Sequence, residues 1–180
     1  MLNKNFTPFP VLITERLTLR QLSINDAQGI FTLRSDKEIS KYLGRQVSET
    51  IEDVENFINK ISESTKKNES IYWVITITNS GTFVGTICLF NFSNEYDKCE
   101  IGYELLTDFQ GQGIMKEAAE KVIDFAFNII EIKKIEAFTH NGNTNSTNLL
   151  KKLNFKKSEE TDEENPELNI FNLTNPFENM

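Results

Sequence analysis

Hydrophobic and polar positions along this chain change period several times, and each change predicts an element. Over residues 11–19, Leu17 and Leu19 alternate with polar neighbours at a period of two, the pattern of a half-buried strand. Ser23, with Asp26 three residues on, carries a helix N-terminal capping pattern, and Ala27, Ile30, Phe31 and Arg34 then recur at helical spacing. Thr50 and Asp53 repeat that pattern ahead of Val54, Phe57, Ile58 and Ile61, an i, i+3, i+4, i+7 stripe that predicts an amphipathic helix facing the core. Between the two helices, residues 35–48 show no period and predict an exposed connecting segment carrying Tyr42, Gly44 and Arg45.

From residue 71 the pattern becomes β-branched and aromatic. Residues 71–78, 83–91 and 98–106 predict three strands, separated by Asn79-Ser80-Gly81 and Ser93-Asn94-Glu95, and so an antiparallel meander. Gly111-Gln112-Gly113 ends it, and Ile114, Ala118, Val122, Phe125, Ala126 and Ile129 then recur at helical period, predicting a buried helix of about fifteen residues. Residues 134–139 predict a further strand, 145–153 a short helix, and 155–158 with 168–173 a closing hairpin around an acidic turn. With no repeat and no low-complexity block, the pattern reads as one α/β domain over residues 1–180 with a mostly antiparallel sheet.

Composition narrows the function classes. A chain of 180 residues, 38% hydrophobic and 26% charged, is neither a disordered tail nor a collagen-like rod. Nineteen Lys and Arg against 27 Asp and Glu give a net charge of −8, which disfavours a nucleic-acid binder or a polybasic membrane-surface protein and favours cationic partners. No apolar run reaches the roughly twenty residues of a membrane span, and residues 1–10 lack a secretory pattern, so a cytosolic protein is expected. Cys88 and Cys99 read as ordinary buried thiols, because two cysteines and one histidine make no structural metal site by themselves.

The chemistry concentrates in residues 101–118. Gly111-Gln112-Gly113 lies between a strand end and a helix start, where free backbone N–H groups and the positive end of the helix dipole converge on a site suited to phosphate. No Gly-Lys-Ser/Thr follows, which excludes a Walker loop, and the three-glycine dinucleotide fingerprint with its parallel βαβ unit is missing. Two readings stay open from the residues alone: glycines that merely relieve a tight turn, or a nucleotide held by its pyrophosphate.

Gln110-x-x-Gly113-x-Met115 resembles the Q/R-x-x-G-x-G/A signature of the GNAT acetyltransferases, which use acetyl-coenzyme A. The stretch Leu12-Ile13-Thr14-Glu15-Arg16-Leu17-Thr18-Leu19-Arg20 resembles the opening of that family's ribosomal-protein N-terminal acetyltransferase-like branch. Ile101-Gly102-Tyr103 with Gly111-Gln112-Gly113 and Glu117-Ala118 is similar to its centre, and Asn143-x-x-Ser146 with Lys152-Leu153-Asn154-Phe155 to its closing block. Met115 stands where the family prefers Gly or Ala, and Asn154 where it has Gly. The resemblance implies a mixed, mostly antiparallel sheet of about seven strands flanked by helices, acetyl-CoA as cosubstrate, no metal, and direct attack of an amine on the thioester.

It also implies roles. Amides of Gly111, Gln112, Gly113, Ile114, Met115 and Lys116 would take the pyrophosphate. The backbone at Leu105, Leu106 and Thr107 would pair with the amide-bearing arm, a bulge in that strand would open the slot, and an N–H near Leu105 would face the oxyanion. Ser146 would bond or protonate the departing thiolate beside Asn143, unless it is only a helix N-cap. Glu100 and Glu104, four residues apart, share a strand face with Gly102, opposite Ile101, Tyr103 and Leu105, and are the candidate bases, Glu100 first.

His140 is expected to be a structural, hydrogen-bonded residue. The acidic run Glu159, Glu160, Asp162, Glu163, Glu164 and Glu167 reads as a solvated hairpin, which in the family borders the acceptor groove and would attract polyamines, aminoglycosides or basic peptide N-termini. A protein N-terminal amine is the first acceptor implied and a small cationic amine the second. A non-catalytic acyl-CoA-binding regulatory domain and a structural interaction protein are the competing classes. The sequence leaves the oligomeric state open, a homodimer included.

Overall fold

The computed structural model describes residues 2–95 and 97–176. Among them are strands β1 (Leu12–Ile13), β2 (Leu17–Gln21), β3 (Ile71–Ile77), β4 (Phe83–Ser93), β5 (Lys98–Leu105), β6 (Lys134–His140), β7 (Lys156–Thr161) and β8 (Leu168–Thr174). They form one 8-stranded sheet in the order β1-β2-β3-β4-β5-β6-β8-β7, antiparallel throughout except between β5 and β6. The helices are α1 (Ala27–Ser35), α2 (Lys37–Ser40), α3 (Ile51–Lys66), α4 (Ile114–Asn128) and α5 (Thr144–Lys152).

The sheet has one strand more than the seven or so expected, because residues 11–19 fold back on themselves as β1 and β2. Leu12 pairs with Leu19 across the hairpin, and Thr14 closes it by donating its N–H to Leu17 O at 2.9 Å. No Gly, Pro or Asn marks this turn, so alternation alone runs through it. The segment 35–48 also holds more structure than expected: Asp36 accepts from the N–H groups of Glu38 and Ile39 and starts the single turn of α2.

Each sheet face buries its own cluster. Leu17, Leu19, Trp73, Ile87, Leu89 and Ile135 pack with Ala118, Val122, Phe125 and Ala126 of α4. The Trp73 and Phe125 rings meet edge to face at 5.6 Å, and the indole N–H donates to Pro10 O at 2.8 Å. On the opposite face Leu22, Ile30, Val54, Ile58, Tyr72 and Val74 form the second cluster beneath α1 and α3. The Thr50–Asp53 capping pair forms at 3.1 and 2.9 Å, as its spacing predicts. Ile129 departs from expectation: α4 ends at Asn128, leaving Ile129 53% exposed while Ile130 is fully buried.

The feature that builds a site is a partial strand pairing. β5 and β6 run side by side only over Lys98–Glu100 and Lys134–Glu136. Beyond that point β5 stays with β4 to Leu105, while β6 stays with β8 to His140, so a wedge opens between them. The bulge expected on β5 lies instead on β4, where the register shifts between Phe90 and Ser93. Gly85 lets β4 stay close to the wedge wall, since a Cβ there would meet Glu104 O at 2.3 Å.

Candidate active site

The turn expected to hold a phosphate closes the end of β5. Gly111 and Gly113 have φ of +72° and +76°, the left-handed region that glycine adopts without strain. Gly113 is the N-cap of α4, and among the described residues no side chain caps that helix. The first N–H groups of α4, on Ile114, Met115 and Lys116, therefore lack an intrahelical partner and lie at the positive end of the dipole. Met115 is a buried member of the core cluster, 7% exposed. This donor set fits a coenzyme A diphosphate.

A brace from the first hairpin fixes the turn. The Glu117 carboxylate accepts from the Thr14 hydroxyl at 2.6 Å, from Arg16 N–H at 2.9 Å and from Arg16 Nε at 2.6 Å. Arg16 Nη1 in turn donates to Gln112 O at 3.1 Å. Burial raises the Glu117 carboxyl, but Thr14 and Arg16 outweigh it and hold the group below the usual glutamate range. Glu117→Ala removes these bonds, but Arg16 is 47% exposed and turns to water, so the expected loss of stability is about 1 kcal/mol, roughly 2–4 °C in Tm. The depressed acid contributes stability above its unfolded-state pKa and loses it as pH falls, so the gap between wild type and variant narrows in acid. Thermal melts across pH check this.

The turn, the wedge and α5 enclose a cleft of about 860 Å³, bordered on its far side by Tyr42 and Leu43. Of the residues expected in a site, Glu104, Leu105, Thr107, Gly111, Gly113, Ile114, Met115, Lys116, Asn143 and Ser146 line it. Glu100, Leu106 and Gln112 do not. Leu106 is corrected as an arm-pairing position: its N–H donates to Val84 O at 2.9 Å and its C=O accepts from Phe109 N–H at 3.0 Å. Backbone groups of successive strand residues point to opposite sides, so the N–H and C=O of Leu105 face the wedge. Gln110 Nε2 already donates to Leu105 O at 3.0 Å.

Asn143, not Ser146, caps α5, its Oδ1 accepting the Ser146 N–H at 3.1 Å. The capping alternative for Ser146 is thereby removed, and its hydroxyl lies 2.8 Å from the Tyr103 hydroxyl. Burial pushes the Tyr103 phenol up to about 12, against a smaller opposing pull from Ser146. Tyr103 therefore keeps its proton at neutral pH. Strand alternation alone groups Tyr103 with core residues, and only the placing of Ser146 on α5 within reach of its hydroxyl shows its partner.

The two candidate bases separate. Glu104 lines the cleft, and Arg45, from the segment between α2 and α3, binds both its oxygens at 2.6 and 3.0 Å. Burial pushes the Glu104 carboxyl up, with Arg45 and Arg34 opposing. Glu100 lies farther along β5, accepts from Asn91 Nδ2 at 2.9 Å, and is also raised by burial. His140 accepts the Gly142 N–H on Nδ1 at 3.0 Å and stacks near Tyr42 with ring centroids 5.2 Å apart, contacts that suit a structural role. Within the acidic hairpin, Glu159, Glu160, Glu163, Glu164 and Glu167 are exposed. Among the described residues no His, Cys, Asp and Glu cluster could hold a metal, and no helix is long and apolar enough to cross a membrane.

Comparison with known proteins agrees with this geometry. An N-acetyltransferase of Bacillus subtilis (strain 168), YoaA, named as uncharacterized, is 31% identical over 149 residues, 83% of this chain and 84% of its own. Among solved structures, the ribosomal-protein-S5-alanine acetyltransferase of Vibrio fischeri superposes with a TM-score of 0.75 at 21% identity, covering 93% of this chain and 98% of that one. Spermidine N-acetyltransferase of Vibrio cholerae, in complex with CoA and spermine, gives 0.78 at 20% identity over 89% and 96%. These two share the fold. Residues 16–156 match the acetyltransferase (GNAT) domain family, so the chain belongs to the GNAT acetyltransferases and is an acetyl-CoA-dependent N-acetyltransferase.

Proposed function

We propose that this enzyme acetylates a primary amine, first a protein N-terminal amine, by direct attack on the acetyl donor. The observation that carries the reading is the convergence, in one cleft, of the Gly111–Gly113 turn, the wedge-facing edge of Leu105 and the Ser146–Tyr103 pair. Bound acetyl-CoA supplies a thioester carbonyl open to an amine. The uncapped N–H groups of α4 hold the diphosphate, and the wedge edge of β5 aligns the arm by strand-like pairing. Leu105 N–H is a fixed donor for the oxygen that gains charge, worth on the order of a hundred-fold in rate. The attacking nitrogen loses a second proton as the amide forms and the C–S bond breaks; Ser146 relays it, giving its hydroxyl proton to the departing sulfur and regaining one from the nitrogen, directly or through water.

Glu104 takes the proton from the acceptor ammonium, directly or through water, because it is the candidate base that lines the cleft. Glu104→Gln is expected to lower kcat/KM by about a hundred-fold at neutral pH, and Glu100→Gln by less than about tenfold. Because burial raises the carboxyl, activity should climb with pH through a limb above the usual glutamate range, and Glu104→Gln should lose that limb. Equal losses in the two variants would move the base to Glu100 or to solvent.

The acidic hairpin, and the shared fold with a spermidine acetyltransferase, favour a small cationic amine as the second reading. A screen of free and N-blocked peptides, polyamines and aminoglycosides, read by thiol release, separates the two. Turnover with free but not blocked peptides is expected. Turnover with polyamines alone selects the second reading, and tight coenzyme A binding without any thiol release would indicate a non-catalytic binding domain.

A further inference from the structure

Behind Glu104, which lines the cleft, stand two guanidinium groups, of which Arg45 bonds to its carboxylate. Arg45 grips both oxygens of Glu104, each side chain 16% exposed. Arg34 stands behind them, half-buried, with its Nε donating to Ser48 Oγ at 3.3 Å and its guanidinium 4.0 Å above the Phe57 ring. Burial and the adjacent Arg45 cation pull the Arg34 pKa down, with Glu104 acting in the opposite sense. The buried Nε–H of Arg45 has no acceptor among the described residues. Glu38 on the cleft, and Glu49 and Asp53, which line a second pocket together with Arg34, are exposed residues in solvent-screened surroundings. The desolvated groups next to the reaction centre therefore carry one positive charge in excess and one unanswered hydrogen-bond donor.

We infer that the acceptor amine brings its own carboxylate, which is received at the Arg34–Arg45 pair while its amine faces Glu104. A second carboxylate would balance the second guanidinium and offer an acceptor to Arg45, whose fork matches carboxylate geometry. It would also share Arg45 with Glu104 and loosen the grip on that group. A diamine would instead place a second cation beside Arg34 and Arg45 in a partly desolvated wall. The net charge of −8 does not decide this, because exposed charges beyond about a Debye length are screened and the arginines are local.

The inference rests on the acceptor reading above, so the test is built to fail separately from it. Thiol release is measured for three small amines that differ only at the far end: β-alanine, β-alaninamide and 1,3-diaminopropane. A parallel arm uses peptides with a free N-terminus and Asp or Asn as the second residue, distinguishing a free amino acid from a peptide as the carboxylate's source. In at least one arm kcat/KM should favour the carboxylate over its amide by about tenfold or more. The diamine should rank last.

Arg45→Gln should bring the carboxylate-to-amide ratio close to one, and Arg45→Lys, which keeps the charge without the fork, should leave a reduced preference. A wild-type ratio near one in both arms, or a preference for the diamine, overturns the inference and leaves amine acetylation standing. Absence of thiol release with every amine overturns both.

Discussion

Gly111→Asp is expected to weaken coenzyme A binding by about a hundred-fold in calorimetric titration, while the isosteric Gly111→Asn weakens it by less than about fivefold. Gly111 sits at φ +72°, and a Cβ built there meets nothing within 4 Å. Asn and Asp tolerate the left-handed region better than other side chains, so both variants keep the fold and present their side chains at the turn. What separates them is charge. A carboxylate about 6 Å from a phosphate charge, at an effective dielectric near 20, costs about 2.8 kcal/mol, which is about a hundred-fold in affinity. The gap should shrink as salt is raised. Equal affinities for the two variants would mean that the diphosphate does not sit against the N–H groups that open α4.

The second large effect falls on the chemical step. Ser146→Ala should lower kcat by about ten- to a thousand-fold and leave the affinity for coenzyme A within about threefold. Tyr103→Phe should lower kcat by about tenfold or less, and the double variant should be no slower than Ser146→Ala alone, because the two hydroxyls act as one unit. The phenol, pushed up to about 12, remains a donor at neutral pH; when it donates to Ser146 Oγ across 2.8 Å, the serine proton is left to point into the cleft. Additive losses, or an unchanged kcat in Ser146→Ala, would remove Ser146 from protonation of the thiolate and leave it a packing partner of Tyr103.

The residues that were legible beforehand are those whose role follows from neighbours along the chain. The glycines at 111 and 113 stand where β-type alternation gives way to helical spacing, and that switch marks a strand-to-helix turn. Asn154 replaces a family glycine and takes φ +66°, a conformation its short polar side chain permits. Ser146 was ambiguous because Asn and Ser are both good caps three residues apart. The choice depends on where α5 begins, a boundary that local pattern fixes only within a residue or two.

Glu100 and Glu104 show the limit of periodicity. Alternation puts both on one strand face, but which of them reaches the cleft depends on where β6 leaves β5, after Glu100 and Glu136. The groups that brace and charge the site were not legible at all. Thr14 and Glu117 are 103 residues apart, Arg45 and Glu104 are 59 apart, and Tyr103 and Ser146 are 43 apart. No local pattern reports such pairs.

By itself, then, the sequence determined most of the strands and helices and the glycine turn ahead of α4, because these depend on side-chain periods of 2 and 3.6 and on backbone freedoms that act over a few residues, while its motifs pointed to the family by resemblance. Tertiary structure alone decided the folding of the first segment into a hairpin, the choice of cleft carboxylate, the cap of α5 and the guanidinium pair around Glu104. Each of those depends on where the sheet parts between β5 and β6 and on what distant segments bring to the opening. That is settled by burial of the whole core, not by any one stretch of the chain.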